Sequence, residues 1–363
     1  MKRLSQQPVH KFLGKLVRFA GPLAGLALLW ETGGCASRRP APLLVECPAI
    51  AEPAGYSEEG LRFKLVTYNI WGLPSWMTGA RSGRYPRIAR ELERLNPDII
   101  LLQEAWTAKA RKSAPARGRW AIARAAGQHT FFQQNGLVTL SKFPILGGEF
   151  FPFSRAAFPD RFVTKGVLKV TVQLARGQAF NVWNVHLQEG DWPEIRLSQV
   201  RELLSHVQAA EDGQIADLVG GDFNCTPESP LCRELVNSLG PSVQQLAGAD
   251  PFVTWDGLSG KRCAGQTIDH IFIRKRTTFQ NLQAIPRVAF ATRSLAERLS
   301  DHLGIEAVVN LSPAPIPTAV VDLLPDRSPV PTLTARRSMY GGADQRTITV
   351  MQPKNEGVRV SGH

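Results

Sequence analysis

The sequence has few cysteines, no internal repeat and no long apolar run. Its five cysteines among 363 residues have a spacing that matches no metal-binding motif, which favours disulfides or inert thiols over a metal site. The uncharged stretch at residues 19–30 is too short to span a bilayer comfortably. Hydrophobic residues nevertheless make up 43% of the chain, so we expect a globular protein with one large domain or two ordinary ones.

Residues 1–36 have the pattern of an export signal, because basic residues precede the uncharged stretch and small residues lead to Cys35. Cys35 resembles the lipidated residue of a bacterial lipoprotein, although Thr32 stands where such sites usually have Leu; simple cleavage near Ala36 is the alternative. Either outcome predicts an extracytoplasmic protein, secreted or lipid-anchored at the cell envelope, where disulfides persist. The other cysteines allow three pairings and are expected to be disulfides or inert thiols: Cys47, Cys225, Cys232 and Cys263.

Composition divides the rest of the chain into three segments. Residues 37–60 contain four prolines and predict a flexible tether. Residues 61–310 alternate strand-like and helix-like patterns and predict the folded domain. Residues 311–363, with seven prolines and few aromatic residues, predict a disordered or weakly ordered tail.

The net charge of +12 lies mainly on the domain, since residues 61–310 hold 30 basic and 22 acidic side chains. Such a surface favours a polyanion or an anionic membrane, and charge alone does not choose between them. Residues 109–124 contain six basic and no acidic side chains. The predicted helix at residues 83–95 has arginines on one face, which we interpret as solvated: Arg84, Arg87, Arg90 and Arg94.

A predicted buried strand ends in two glycines, Asp222 and Asn224, and strand alternation directs these two polar side chains to one face. A carboxylate can hold a water or a metal, and an amide can donate to a phosphate oxygen without adding negative charge. This pair therefore suits phosphoester hydrolysis, with a turn capped by the Asp side chain as the alternative.

Other predicted strands also end in polar residues. Glu104 directly follows four aliphatic residues and needs a partner, which is either a basic group or a divalent cation. Asp269 lies among apolar neighbours, and alternation turns His270 to the opposite face, so His270 is left out of the site. The strand ends together offer eight candidates: Asn69, Glu104, His186, Asp222, Asn224, Asp269, Asp301 and His302.

These candidates occur in six motifs, in order YNIWGLP, PDIILLQE, NVHLQ, VGGDFN, TIDHIF and SDH. The series resembles the endonuclease/exonuclease/phosphatase superfamily of metal-dependent phosphoesterases over residues 61–310. Within it, residues 69–74, 103–106, 141–145 and 160–165 resemble the neutral sphingomyelinase branch. A Pro-Ala-Trp-x-Asp-Arg run, typical of inositol polyphosphate phosphatases, is absent.

The resemblance implies an α/β four-layer sandwich of the deoxyribonuclease type, in which two central mixed β-sheets pack face to face with helices outside. It also implies a Mg²⁺ cofactor, with Mn²⁺ or Co²⁺ as substitutes. Metal ligands would be Glu104, Asn69 and Asp301. The resemblance implies that His302 is the base, oriented by Asp269, and that Asp222 helps hold the water. Asn224 would contact the phosphoryl oxygens, and His186 would be the acid or a phosphate clamp. Lys165 would stabilise developing charge, and Asp160 would bind substrate.

We therefore expect a monomeric phosphodiesterase that hydrolyses a membrane phospholipid headgroup, as a sphingomyelinase does. The aromatic, arginine-containing segment at residues 150–162 is expected either to touch the lipid interface or to fill the core. A secreted nonspecific nuclease is the alternative, with Arg84, Arg87 and residues 109–124 on the DNA backbone. A binding protein with a dead site is disfavoured because every expected polar residue is present.

Overall fold

The computed structural model describes residues 41–46, 56–57, 60–74, 83–115, 119–125, 135–175, 178–210, 216–248, 252–256, 265–275, 279–290, 297–313 and 347–349. The predicted export signal lies outside these residues, together with most of the predicted tether and tail. Cys35, Cys47 and Cys263 lie outside them as well.

The described strands are β1 (Ala41–Glu46), β2 (Tyr56–Ser57), β3 (Gly60–Asn69), β4 (Ile99–Gln103), β5 (Ala121–Ala125), β6 (Val138–Ser141), β7 (Ile145–Pro152), β8 (Gly166–Ala175), β9 (Gln178–His186), β10 (Ala216–Asp222), β11 (Asp269–Lys275), β12 (Phe279–Ala289), β13 (Gly304–Pro313) and β14 (Thr347–Thr349). The described α-helices are α1 (Arg84–Leu95), α2 (Pro193–Ala209), α3 (Pro230–Leu239) and α4 (Val243–Leu246). Short 3-10 helices occur at Ala110–Ser113 and Asp160–Phe162.

Two mixed sheets are joined at one edge by β1. The hydrogen-bonded strand order is β11-β10-β9-β8-β7-β1-β5-β6-β4-β3-β13-β12. Each half contains one parallel pair, β9 with β10 and β3 with β4, and the neighbouring pairs on this path are antiparallel. Strand β1 pairs with β7 at its start and with β5 along the rest of its length.

The two sheets pack face to face over one apolar core. Leu65 of β3 and Leu101 of β4 belong to the same buried cluster as Val182 of β9, Leu218 of β10 and Ile271 of β11. A second buried cluster covers the outer face of β9 and β10 with α2 and α3, and a third covers β3 and β4 with α1. This arrangement confirms the predicted four-layer sandwich with helices outside.

A buried polar contact also joins the sheets near their centre. Gln103 Nε2 at the end of β4 donates to Asn184 Oδ1 of β9 at 2.8 Å and to Thr67 Oγ1 of β3 at 3.1 Å. Asn184 Nδ2 donates in turn to the carbonyl oxygen of Leu102 at 3.1 Å. Because buried polar groups are costly without partners, these bonds favour one alignment of the two sheets.

Some described strands lie in segments predicted to lack structure. Strands β1 and β2 fall within the predicted tether, and β14 falls within the predicted tail. The prolines of residues 37–60 pointed to a tether, but β1 also contains a short strand-like alternation. In the structure its Leu43 and Val45 are both buried in the sandwich. The pairing that stabilises β1 comes from β5 and β7, which lie far along the chain.

The start of α2 also differs from the sequence pattern. Asp191 and Glu194 have the spacing of a capping box, which predicts an N-cap at Asp191, but the N-cap residue is Trp192 and it makes no side-chain cap hydrogen bond. Trp192 Nε1 instead donates to the carbonyl oxygen of Phe158 at 3.0 Å. Pro193 at the first helical position and the predicted apolar stripe of α2 are as expected.

Arg84, predicted to lie on a solvated face of α1, is buried with 8% exposure. Its Nη1 donates to the carbonyl oxygens of Ile70 at 2.5 Å and Leu299 at 2.7 Å, and its Nη2 donates to that of Trp71. The helical period placed this arginine with its exposed neighbours, but the chain after β3 and the chain before β13 both fold over it. Arg84 therefore ties together two loops that carry candidate site residues.

We expect Arg84→Met to lower the free energy of unfolding by about 3 kcal/mol, because it leaves buried carbonyl oxygens without donors. Urea unfolding followed by tryptophan fluorescence measures this change. Arg90→Met, an exposed position on the same helix, is the matched control and should change stability by less than about 0.5 kcal/mol. Equal effects of the two substitutions would contradict the proposed role.

Candidate active site

Strand register brings Asp222, His186 and Asp269 side by side at one end of the sheet that contains β9, β10 and β11. Asp222 of β10 lies opposite His186 of β9 in the parallel pair and opposite Asp269 of β11 in the antiparallel pair. Residues paired across a ladder point to the same face. His186 Nε2 lies 3.5 Å from Asp222 Oδ2.

The facing sheet, which contains β3 and β4, contributes two more candidates. Asn69 is the last residue of β3, and Glu104 directly follows β4. Asn69 Nδ2 donates to Glu104 Oε1 and to Asp222 Oδ2, each at 3.0 Å, and so connects the two sheets. Glu104 has a left-handed backbone with φ of 58°. Gly72 passes so close that a Cβ there would lie 1.8 Å from the Glu104 carbonyl oxygen, which explains the glycine in this loop.

His302 is held by Asp269. The distance from His302 Nδ1 to Asp269 Oδ2 is 2.9 Å, and His302 Nε2 lies 3.6 Å from Asp222 Oδ2. Burial lowers the pKa of His302, but the charges of Asp269, Asp222 and Asp301 outweigh it and hold the pKa well above its usual value. Nδ1 therefore carries a proton toward Asp269, and Nε2 points toward the centre of the site.

Glu104 and Asp301 have the chemistry of a site for a hard cation. Glu104 Oε2 is buried and has no hydrogen-bond partner among the described residues. Burial raises the pKa of Glu104, and burial together with the charge of Glu104 raises the pKa of Asp301 to about 6, against the lowering effect of His302. Carboxylate and amide oxygens are the donors that Mg²⁺ prefers, so Glu104, Asp301 and Asn69 fit the predicted metal ligands.

A second group of potential ligands consists of Asp222, Asp269 and His302, whose ligand atoms lie within 4.8 Å of one another. The 2.9 Å contact between Asp269 and His302 already uses Nδ1 of the ring. Asp222 also has partners on both oxygens, the Asn224 amide nitrogen at 2.9 Å and the Asn69 side chain. This group therefore has the features of a hydrogen-bonded carboxylate–histidine arrangement.

Lys165 links His186 to Asp160. Its Nζ lies 2.7 Å from Asp160 Oδ2, 2.7 Å from the Leu187 carbonyl oxygen and 3.0 Å from His186 Nε2, so these contacts use all three of its donors. Burial, followed by the charge of Lys165, holds the pKa of His186 well below its usual value. His186 is therefore a neutral imidazole. Asp160 is buried beside Lys165, and its Oδ2 also accepts from the Glu189 amide at 2.7 Å.

Asn224 follows β10 in a left-handed conformation with φ of 49°. Its backbone nitrogen donates to Asp222 Oδ1 at 2.9 Å, and its Nδ2 donates to the Leu187 carbonyl oxygen at 3.1 Å. The two interpretations of this motif are therefore both present, because Asp222 caps the turn through one oxygen and reaches the site through the other. His270 Nε2 contacts the Cys225 carbonyl oxygen at 2.8 Å, in agreement with its exclusion.

The aromatic segment at residues 150–162 divides into two parts. Phe150 and Phe153 are buried in the core, and Phe151 is half-buried and stacks on the His206 ring at a centroid distance of 4.2 Å. Phe158 and Phe162 are 43% and 46% exposed, and their rings meet edge to face at 5.9 Å. Contact with lipid is therefore not expected of Phe150, Phe151 and Phe153, because their side chains pack into the buried clusters on the two faces of the sheet.

Sequence analysis missed several residues that support the site. Thr254 Oγ1 accepts from the Asp269 backbone nitrogen at 3.1 Å, and Ser300 Oγ donates to the Asn69 carbonyl oxygen at 2.7 Å. Ser300 stands directly before Asp301, so the SDH motif was a usable signal. Thr254 lies in a loop without a periodic pattern, and nothing in the local sequence marks it.

A face-to-face β-sandwich whose strand ends hold carboxylates, amides and a carboxylate–histidine pair defines the phosphoesterase class of enzyme. The chain belongs to the Endonuclease/Exonuclease/phosphatase family, whose model matches residues 66–302. This match confirms the resemblance seen in the six motifs. The family assignment covers all ten predicted site residues, from Asn69 to His302.

The chain is also similar to curated proteins of sphingolipid metabolism. It is 26% identical over 293 residues to the "Putative neutral sphingomyelinase" of Drosophila melanogaster, covering 73% of this chain and 65% of that protein. It is 24% identical over 306 residues to the "Inositol phosphosphingolipids phospholipase C" of Schizosaccharomyces pombe, covering 72% of this chain and 71% of that protein. These relatives confirm the predicted resemblance to the neutral sphingomyelinase branch.

Solved structures confirm the fold. The crystal structure of D. rerio TDP2 complexed with single strand DNA product matches with a TM-score of 0.57 and 18% identity, over 69% of this chain and 99% of that one. An identity this low shows that the two proteins share an architecture. It does not indicate the substrate, which has to be inferred from the site.

We expect Asp269→Asn to lower the pKa of His302, because the substitution removes the negative charge nearest to Nδ1. NMR titration of the histidine side-chain resonances measures this pKa directly. His206, half-buried on α2 outside the site, should keep its pKa in the same spectra and serves as the internal control. An unchanged His302 pKa would contradict the assigned pair.

Proposed function

We propose that this protein is a Mg²⁺-dependent phosphodiesterase that removes the phosphorylated headgroup of a membrane sphingolipid, as a sphingomyelinase does, and leaves a ceramide-type product. The observation that carries the proposal is the geometry around Asp222. The Asp269–His302 pair lies on one side of this carboxylate, the Lys165–His186 pair on another, and Asn69 bonds it to Glu104. The names of the sphingolipid-related relatives support the choice of substrate class.

The cation would be held by Glu104, Asn69 and Asp301. When bound, it supplies positive charge to the phosphate and to the departing oxygen. Positive charge held by these residues would offset the carboxylates that raise the pKa of His302 and would bring it toward the range in which histidine acts as a base. Hard oxygen donors favour Mg²⁺, with Mn²⁺ or Co²⁺ as substitutes.

His302 Nε2 is the atom that takes the proton of the attacking water. Asp222 Oδ2, 3.6 Å away, accepts a hydrogen bond from the same water and orients it between the two groups. Asp269 keeps the ring in the tautomer that leaves Nε2 free and stabilises the imidazolium that forms. Such a positioned base contributes roughly 10²-fold or more to turnover.

The opposite side of the site binds the phosphoryl oxygens. Neutral His186 and the half-buried amide of Asn224 hold the substrate without adding negative charge. Lys165 contributes a buried positive charge next to His186 and is itself oriented by Asp160. Asp160 thus acts on the substrate through Lys165.

Contact with the membrane is proposed for an exposed aromatic rim, defined as Phe158, Phe162 and Trp192. Trp192 is 45% exposed and bonds through Nε1 to the Phe158 carbonyl oxygen. Phe158 and Phe162 flank Asp160 in sequence, Asp160 contacts Lys165, and Arg161 packs against the Phe162 ring. A lipid phosphate lies at the interface, so an enzyme must bury apolar area there to reach it.

We propose an extracytoplasmic location, secreted or lipid-anchored, on the basis of the signal pattern at residues 1–36. Among the helices of the described ranges, none is long and apolar enough to cross a membrane. The competing nuclease hypothesis loses one of its contacts, because the guanidinium of Arg84 is occupied by backbone carbonyl oxygens.

We expect the purified protein to hydrolyse sphingomyelin vesicles in Mg²⁺ and to lose this activity in excess chelator, because the site carries uncompensated carboxylates. Glu104→Gln should need a higher Mg²⁺ concentration for half-maximal rate, and added metal should restore part of the activity. Release of the phosphorylated headgroup is the measurement. Plasmid DNA and glycerophospholipid vesicles are assayed in parallel. Full turnover in chelator, or rapid cleavage of DNA without sphingomyelin hydrolysis, would overturn the proposal.

The triple substitution Phe158→Ser, Phe162→Ser and Trp192→Ser should weaken vesicle binding and vesicle hydrolysis by at least 10-fold, because the lost apolar area no longer contacts lipid, at ~25 cal/mol per Å². Hydrolysis of a soluble phosphodiester should change much less. Sedimentation with vesicles and the two rate assays measure these effects. A matched triple substitution of exposed apolar residues elsewhere, Leu146→Ser, Ile285→Ser and Val288→Ser, should leave vesicle binding intact.

A further inference from the structure

Two cysteines meet directly beside the site. Cys225 follows Asn224 in the loop after β10, and Cys232 lies in the first turn of α3. Both are buried, with free thiols. Their sulfur atoms and a ring nitrogen of His270 lie within 4.8 Å of one another. A disulfide holds its sulfurs about 2.05 Å apart, so these two must move closer by at most about 2.8 Å to bond.

The start of α3 favours reaction at Cys232. Ser229 is the N-cap residue, and its side chain accepts from the Cys232 backbone nitrogen at 3.1 Å. A sulfur in the first turn of a helix lies near the positive end of the helix dipole, which stabilises a thiolate. A hydrogen bond from the Cys225 thiol lowers the pKa of Cys232, and the same bond raises the pKa of Cys225 well above its usual value.

The loop between the two cysteines is already held at its start. His270 Nε2 on β11 contacts the Cys225 carbonyl oxygen at 2.8 Å. This contact fixes the backbone that leads from Asn224 to Cys225 and keeps the thiol directed toward α3. The proximity is therefore built by three elements: the loop after β10, the strand β11 and the helix α3.

We propose that Cys225 and Cys232 form an intrachain disulfide that closes an eight-residue loop and fastens the Asn224 turn to α3. This inference does not depend on the substrate proposed above. The oxidant is a low-molecular-weight disulfide of the glutathione class. The Cys232 thiolate attacks it and displaces one glutathione thiolate. Cys225 then loses its proton, attacks the Cys232 sulfur and displaces the second glutathione, so that two thiols are oxidised and one disulfide is reduced to two thiols.

The low exposure of both sulfurs determines when the bond forms. A bulky disulfide reagent does not reach buried thiols in the fully packed protein, so the reaction is expected late in folding, once α3 has formed and before packing covers the two sulfurs. Once formed, the bond is shielded by the same packing. It restricts the unfolded chain and so stabilises the folded one.

The test is oxidative refolding of the full reduced chain in a glutathione redox buffer, followed by denaturation, alkylation and peptide mapping by mass spectrometry. We expect a cross-linked peptide pair that contains Cys225 and Cys232, 2 Da lighter than the two reduced peptides. We also expect protein refolded under reducing conditions to have a Tm lower by ~5 °C or more than the oxidised protein, the usual scale for a disulfide in a domain of this size.

Matched variants separate this pair from the other cysteines. Cys47→Ser with Cys263→Ser should retain both the cross-link and the Tm difference, whereas Cys225→Ser should lose both. Three results would overturn the proposal: alkylation of both residues after oxidative refolding, linkage of either to Cys47 or Cys263, or one equivalent of zinc that protects both thiols from oxidation. The last result would instead assign the pair and His270 to a metal site.

Discussion

The side chain of Asn69 is the contact on which the site depends. Its amide nitrogen donates one proton to Glu104 on its own sheet and the other to Asp222 on the facing sheet. Two buried carboxylates near each other would repel, and an uncharged donor between them fixes their distance without cancelling their charge. A lysine in this position would neutralise the site. An amide leaves the negative charge available to a cation.

The surrounding structure holds this arrangement rigid. The polar bridge joins Gln103, one residue before Glu104, to Asn184, two residues before His186, and keeps the sheets aligned. Arg84 secures the loop after Asn69 to the loop before Asp301 through backbone carbonyl oxygens. Buried charge is costly unless it is paired and hydrogen-bonded, so a site with several carboxylates requires a framework that cannot relax around them.

The accuracy of sequence reasoning differed between features for physical reasons. The strand ends were predicted well. An apolar run followed by Asp222 or Glu104 is a local signal that a buried strand ends and the chain leaves the core. The capping box at Asp191 was wrong, since Trp192 makes a contact with a distant loop that competes with capping. The place of Phe153 was left open between a lipid-facing segment and the core, because aromatic residues occur in both and only packing distinguishes them.

By itself the sequence determined the family through the order of its six motifs, and the layered architecture as what that resemblance implies. It determined the residues at the strand ends through periodicity within short segments. Tertiary structure decided how those residues are connected. Asn69 and Asp222 are 153 positions apart, and no local pattern states that one amide will bond both carboxylates. The burial of Arg84 and the exposure of Phe158 were likewise decided by neighbours from elsewhere in the chain, since burial is a property of the packed molecule and is not encoded at a single position.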